Sequence, residues 1–180
     1  MAIKKMIVLI YSILSISVIA EYYKKDNEVH YEGYDHKNGK FINYDDEVKN
    51  IDLDSFEQLN PFYARDKNTV YFRGKETNID RNSIKIIRLN LVKDKNFVYY
   101  GDKKLKVSPK NFLFVNRKVS NESIPTIHAG YIFYVKDSQN AYHVEVDKDG
   151  NIKETKLDNA DVGKLVSWNG ILAKDEKAVY

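Results

Sequence analysis

Asp66-Lys67-Asn68-Thr69-Val70-Tyr71-Phe72-Arg73-Gly74 and Asp94-Lys95-Asn96-Phe97-Val98-Tyr99-Tyr100-Gly101 are two copies of one phrase, set 28 residues apart. The register holds upstream of the phrase. Ile51-Asp52 matches Ile79-Asp80, Ser55 matches Ser83, Phe56 matches Ile84, Leu59 matches Ile87 and Tyr63 matches Leu91. Self-similarity at a fixed period of this size marks an array of like supersecondary units. Fainter copies surround the pair. Lys25–Gly33 keeps the Asn, Val, Tyr and Gly of the phrase, and Val135–His143 forms another unit after about 15 extra residues at Asn116–Gly130. A last copy opens at Leu157-Asp158 and reaches Ala173–Tyr180, where the sequence stops one residue before the second aromatic. Either the reading frame is truncated or the array ends on an unfinished strand.

Each copy reads as a β-meander. Asp and Asn suit turns because their short side chains bond nearby backbone. A four-residue loop such as Asp66–Thr69 therefore fits a hairpin, and Val70-Tyr71-Phe72 follows as a strand. Asn38-Gly39 and Asp149-Gly150 mark further hairpins, joining Val29–Tyr34 to Phe41–Tyr44 and Tyr142–Val146 to Ile152–Leu157. Asp52–Phe56 and Asp80–Ile84 lead into each hairpin as a tight bend or a helix of one or two turns. The expected fold is mainly β, an array of β-meander repeats of about 28 residues with short helical turns between them. A propeller-like, solenoid-like, barrel or sandwich arrangement all fit this pattern. The units fall near 21–44, 51–78, 79–106, 107–156 (with the insertion at 116–130) and 157–180.

Alternation places Val29 and Tyr31, Val70 and Phe72, Val98 and Tyr100, and Ala141 and His143 in one column. That column is expected to be core. The opposite column, His30, Tyr71, Tyr99, Tyr142 and Tyr180, is an aromatic ladder repeated once per unit. Such rings could form a stacking platform for sugars or peptides. Packing against their copies in adjacent units is the favoured reading, since an array needs an inter-unit core first.

Residues 1–20 stand apart. Lys4 and Lys5 precede an apolar stretch at Met6–Ile19, and Val18-Ile19-Ala20 suits a signal peptidase. As a helix this stretch would span about 21 Å, less than the roughly 30 Å of a hydrocarbon core. It reads as a cleaved secretory signal, so the mature chain would begin at Glu21 and lie in the periplasm or outside the cell. With Lys4 and Lys5 set aside, 27 basic residues face 26 acidic ones. The charges are mixed along the chain, so no electrostatic footprint for nucleic acid appears. The absence of cysteine excludes disulfides, thiolate metal sites and thiol catalysis.

Asp-Lys-Asn followed by an apolar residue, Val and two aromatics resembles the signature of the DKNYY family of bacterial repeat proteins. Asp66–Phe72 and Asp94–Tyr100 carry the resemblance most closely, and it extends more loosely through 51–115. Ser138-Gln139-Asn140 and Glu176-Lys177-Ala178 depart from it. The resemblance implies an exported or envelope protein of uncharacterised function, with no catalytic residues to carry over.

No catalytic constellation emerges. His30, His36, His128 and His143 share no metal-ligand spacing. No Ser sits in a Gly-x-Ser-x-Gly elbow, and no Gly-rich phosphate loop occurs. Asp147-Lys148-Asp149-Gly150-Asn151 superficially resembles a calcium loop, but its Gly is fourth rather than sixth, and a hairpin turn accounts for it. The insertion Asn116–Gly130 is a binding loop or a tolerated surface loop. Trp168, the single tryptophan, is expected to pack against the last unit. The sequence thus points to a non-enzymatic exported repeat protein, without cofactor or metal, that binds another envelope or extracellular protein. A free edge at Tyr180 could pair with a partner strand. A glycan-binding module using Tyr71, Tyr99 and Tyr142 is the alternative. An envelope hydrolase or a protective partner of a secreted toxin are further options.

Overall fold

The structure is a computed structural model describing residues 21–37, 40–115, 131–147, 149–168 and 172–180. Among these residues every regular element is a strand and there is no helix. The strands form five separate antiparallel sheets in chain order. The first contains β1 (Glu21–Lys25), β2 (Glu28–Lys37) and β3 (Lys40–Glu47). The second contains β4 (Glu57–Gln58), β5 (Tyr63–Arg65), β6 (Val70–Phe72) and β7 (Lys75–Glu76). The third repeats it as β8 (Lys85–Ile86), β9 (Leu91–Lys93), β10 (Val98–Tyr100) and β11 (Lys103–Lys104). The fourth contains β12 (Leu113–Phe114), β13 (Tyr131–Lys136), β14 (Ala141–Val146) and β15 (Ile152–Lys156). The fifth pairs β16 (Val166–Trp168) with β17 (Leu172–Lys174), and Val179 bridges to Lys174. The described residues form several small antiparallel sheets and neither a closed barrel nor a propeller.

The turns explain the phrase. Asp66 Oδ1 accepts the N–H groups of Asn68 and Thr69 at 2.7 and 2.8 Å, and Asp94 Oδ1 does the same for Asn96 and Phe97. The carboxylate thereby closes the loop that joins the two central strands. Neither Asn68 nor Asn96 has a positive φ, so both turns close without a left-handed Asn. The lead-in segments are bends rather than helices. Asp52 Oδ1 accepts the N–H and hydroxyl of Ser55, and Asp80 Oδ1 treats Ser83 alike. The Asn38-Gly39 turn lies outside the described residues, but Lys37 pairs with Lys40 on either side of it.

Each sheet has two working faces. Cross-strand partners share a face, so Tyr63 and Phe72 lie with Arg65 and Val70 on one side of the second sheet. This front face meets the next unit: the Tyr63 hydroxyl donates to the carbonyls of Asn90 and Gly101. In the third sheet Tyr100 stacks on Phe133 of the fourth, with centroids 5.5 Å apart. The back faces carry a small apolar residue opposite a tyrosine, namely Ala64 and Tyr71, Val92 and Tyr99, Val135 and Tyr142. All six of these side chains are buried. The core therefore lies between sheets, and both columns of the alternation contribute to it. Glycine is required at the closest approaches. Gly74 has φ of 75°, and an added Cβ there would lie 3.0 Å from Tyr31 Cβ of the first sheet. Gly101, at 61°, would meet Phe72 of the second sheet at the same distance.

A cation clasps each joint. The residue before the turn Asp points from the front face to a carbonyl in the next lead-in segment. Arg65 donates to Arg81 O at 3.3 Å, and Lys93 to Pro109 O at 2.9 Å. Lys136 donates to Val162 O and Leu165 O at 2.7 and 2.8 Å. Lys24, which shares the front face of the first sheet with Val29, donates to Leu53 O at 3.5 Å.

Candidate functional site

The ladder residues named from sequence are structural in their contacts. Tyr71 and Tyr99 are buried on the back faces, and their hydroxyls donate to Asp66 Oδ2 and Asp94 Oδ2 at 3.0 and 2.9 Å. Tyr180 repeats the bond to Asp175 Oδ2 at 3.0 Å and is half-buried against the fourth unit. Tyr142 is buried in the core between the third and fourth sheets. None of Tyr71, Tyr99 and Tyr142 offers an open ring face, so they do not form a surface platform. Tyr180 is also paired along its backbone, exchanging two hydrogen bonds with Ala173.

The same carboxylates receive a further bond. Asp66 Oδ2 accepts the N–H of Asp52, Asp94 Oδ2 that of Asp80, Asp137 Oδ2 that of Ser108, and Asp175 Oδ2 that of Asp161. Asp66, Asp94 and Asp175 each gather three backbone donors and a phenol, and Asp137 gathers the three backbone donors. Burial pushes the Asp66 and Asp94 carboxyls up, but the backbone donors and tyrosine hydroxyls outweigh it and hold both below the usual carboxylate range. The balance for Asp137 is the same, from its backbone donors and Asn140. At Asp175 the backbone bond from Asp161 leads, and the carboxyl falls to about 2. Charges so occupied are keystones of the units. The signal was in the sequence as fixed offsets. An Asp stands 14 residues before Asp66, Asp94 and Asp175, and a Tyr five residues after each turn Asp.

The histidines do not gather. His30 stacks on Tyr23 with centroids 5.3 Å apart, and its Nδ1 lies 3.1 Å from Asp45 Oδ1. The Tyr23 hydroxyl donates to the other Asp45 oxygen, which is the main reason its pKa rises to about 12. His143 packs against Tyr134 on the front of the fourth sheet. His128 and the side chain of His36 lie outside the described residues, as does the insertion at Asn116–Gly130. Asp147 Oδ1 accepts the N–H groups of Asp149 and Asn151, so the loop that resembled a calcium site is closed on its own backbone.

The first and fifth sheets differ in their outward faces. The back face of the first sheet is polar: Tyr23 and His30 lie there with Glu21, Lys25, Glu28, Glu32, Asp45 and Glu47. The front face of the fifth sheet is apolar. Val166 pairs with Lys174 and Lys174 with Val179, while Trp168 pairs with Leu172. Val166, Trp168 and Val179 are 52, 42 and 50% exposed. Trp168 thus faces outward in β16 instead of packing into the last unit. Leu113 and Ile132, on the front of the fourth sheet opposite Lys136 and Glu145, are also exposed. Sequence reasoning missed this face, although its rows are the register equivalents of Val70 and Tyr63.

Five open β-meanders joined face to face define a tandem repeat protein. No curated protein and no solved structure matches the chain. A sequence model of the DKNYY family matches residues 63–180, well over half of the chain, and the protein belongs to that family.

Proposed function

We propose that the chain is a non-enzymatic, exported repeat protein that binds another protein of the cell envelope or its surroundings through the front face of the fifth sheet. One observation carries this reading. Val166, Trp168 and Val179 form an exposed apolar face, where the central front-face residues of the second and third sheets, Tyr63, Val70, Leu91 and Val98, are buried. A cluster of exposed large apolar side chains on a small domain marks an interaction surface. Export is supported by the basic and apolar pattern of residues 1–20.

The test is affinity capture from envelope and secreted fractions with Glu21–Tyr180, beside the V166E/W168E variant. The reading expects one saturable partner that the variant loses. Equal capture by both forms, or an empty capture, would refute it, and binding on a glycan array would return the alternative.

A further inference from the structure

Charge that balances over the whole chain does not balance within its units. Residues 51–78 and 79–106 occupy the same frame, yet the first stretch holds four basic and five acidic residues and the second eight basic and three acidic. Much of the excess gathers at the turn end of the third sheet. Lys85 pairs with Lys93 beside the turn, Lys95 lies within it, and the carbonyl of Phe97 closes it. On the other edge Lys104 pairs with Tyr99, and the Leu105 N–H donates to Val98 O, which brings Lys106 level with Phe97. Lys85, Lys95, Lys104 and Lys106 are exposed. So is the Phe97 ring, with the Lys104 Nζ 3.9 Å from its centroid. Two carboxylates lie alongside and are occupied: Asp80 pairs with Lys95 at 2.7 Å, and Glu154 accepts the Lys106 N–H at 2.8 Å.

The neighbouring units show what the frame itself requires at these five positions. The second unit has Glu57, Lys67, Thr69, Glu76 and Asn78 there, and the fourth has Leu113, Ser138, Asn140, Lys156 and Asp158. Neither set combines an aromatic ring with charge of one sign. Edge strands carry charge of either sign to block unwanted pairing, as Glu57 and Glu76 do. Edge protection therefore accounts neither for the uniform lysines of the third unit nor for Phe97.

We infer that this rim docks on an anionic lipid surface, with Phe97 entering the interface and the lysines on both sides of it among the headgroups. An apolar ring flanked by long cations fits such an interface, because the ammonium groups reach phosphate while the ring leaves water. A soluble polyanion would draw on the lysines alone and give Phe97 no role. The attraction is electrostatic at range, so docking weakens as salt rises. The rim is separate from the fifth sheet, and its failure leaves capture through Val166 and Trp168 untouched.

The chain from Glu21 is sedimented with vesicles of phosphatidylcholine alone or with an equal share of phosphatidylglycerol, since Met6–Ile19 would partition into lipid by itself. Binding to the anionic vesicles is expected, and it should fall roughly tenfold or more in Lys85→Glu/Phe97→Thr/Lys104→Glu/Lys106→Asn. That variant places the second unit's residues in the third unit's frame, and an unchanged circular dichroism melt verifies its fold. In a second variant, Phe97→Trp with Trp168→Phe, the single tryptophan lies on the rim, and its emission should shift to the blue with anionic vesicles only. Equal sedimentation of the fourfold variant and the unaltered chain overturns the inference, as does vesicle binding without the blue shift. Salt-sensitive binding of inorganic polyphosphate beside no binding to vesicles would make the partner a soluble polyanion, against the inference. Light scattering that shows salt-sensitive self-association, lost in the fourfold variant, beside no binding to vesicles would make the occupant a second copy, also against it.

Discussion

Replacing Asp94 by Ala removes the acceptor for the N–H groups of Asp80, Asn96 and Phe97 and for the Tyr99 hydroxyl. The two turn donors lie near the surface, where water can take the place of the carboxylate. The Asp80 N–H and the buried Tyr99 hydroxyl are less easily rescued. At about 1.5–3 kcal/mol for each bond to a charged acceptor, the two inner bonds put the loss at roughly 3–6 kcal/mol. That is a large share of the roughly 5–15 kcal/mol of a typical domain. Asp94→Asn should cost less than Ala, because its carbonyl still accepts the two turn donors while its amide faces the Asp80 N–H. Urea unfolding followed by circular dichroism, with Tyr99→Phe for comparison, measures all three. Tyr99→Phe removes one donor and leaves the carboxylate its backbone bonds, so about 1 kcal/mol is expected. An Ala variant within about 1 kcal/mol of wild type, or an Asn variant worse than Ala, would refute the keystone account.

Acid should unfold the array as these carboxylates protonate. The folded pKa values of Asp66, Asp94, Asp137 and Asp175 lie below the ordinary value, so their stabilisation is complete above it and vanishes as pH falls through the folded values. For Asp175 the window runs from about pH 4 down to about 2, and a melting temperature flat from pH 6 to 2 would contradict it. Gly74→Ala should cost more than Gly150→Ala. Both have φ near 75°, but Tyr31 crowds only the first and Gly150 has open space around it. The left-handed backbone alone accounts for about 1–2 kcal/mol at each site, and equal denaturation midpoints would remove the close-approach argument. Lys136→Met should weaken the joint between the fourth and fifth sheets by about 1–3 kcal/mol, since it leaves two carbonyls without their donor. Hydrogen exchange would read that loss as faster exchange confined to residues 160–180. Terminal sequencing of the chain recovered from the producing cell should begin at Glu21, and an intact Met1 would refute export by signal cleavage.

The meander units were legible because local chemistry determines them. Asp66 and Asp94 close their turns on donors two and three residues away, and alternation alone assigns Val70 and Tyr71 to opposite faces. Which face is buried was not legible, because the second and third sheets bury residues on both faces and the pattern shows only that the faces differ. The tyrosine column left a platform open beside packing between units because a buried phenol looks like an exposed one until its acceptor is seen. That acceptor, Asp66 or Asp94, lies only five residues away and had already been assigned to the turn. Trp168 was misplaced for a related reason. The dipeptide after it signals a turn, whereas its exposure depends on what covers the fifth sheet, which no local rule reports. The cation before Asp66, Asp94 and Asp137 is a regular feature of the sequence, yet its acceptor lies in the next unit, at spacings from 16 residues for Arg65 to 29 for Lys136.

The division of every joint between two units bears on how such a chain can grow. A front face and the back face it covers are encoded in different copies of the repeat, so neither copy alone carries a complete fit. Front and back side chains alternate along the same strands, as Val70 and Tyr71 do, so any copied stretch carries one half of two different joints. Duplication of one sheet or of several keeps every existing joint and makes one new one, the front of the last copied sheet against the back of the first. Lengthening the array in this way disturbs no strand pairing, since the sheets share none.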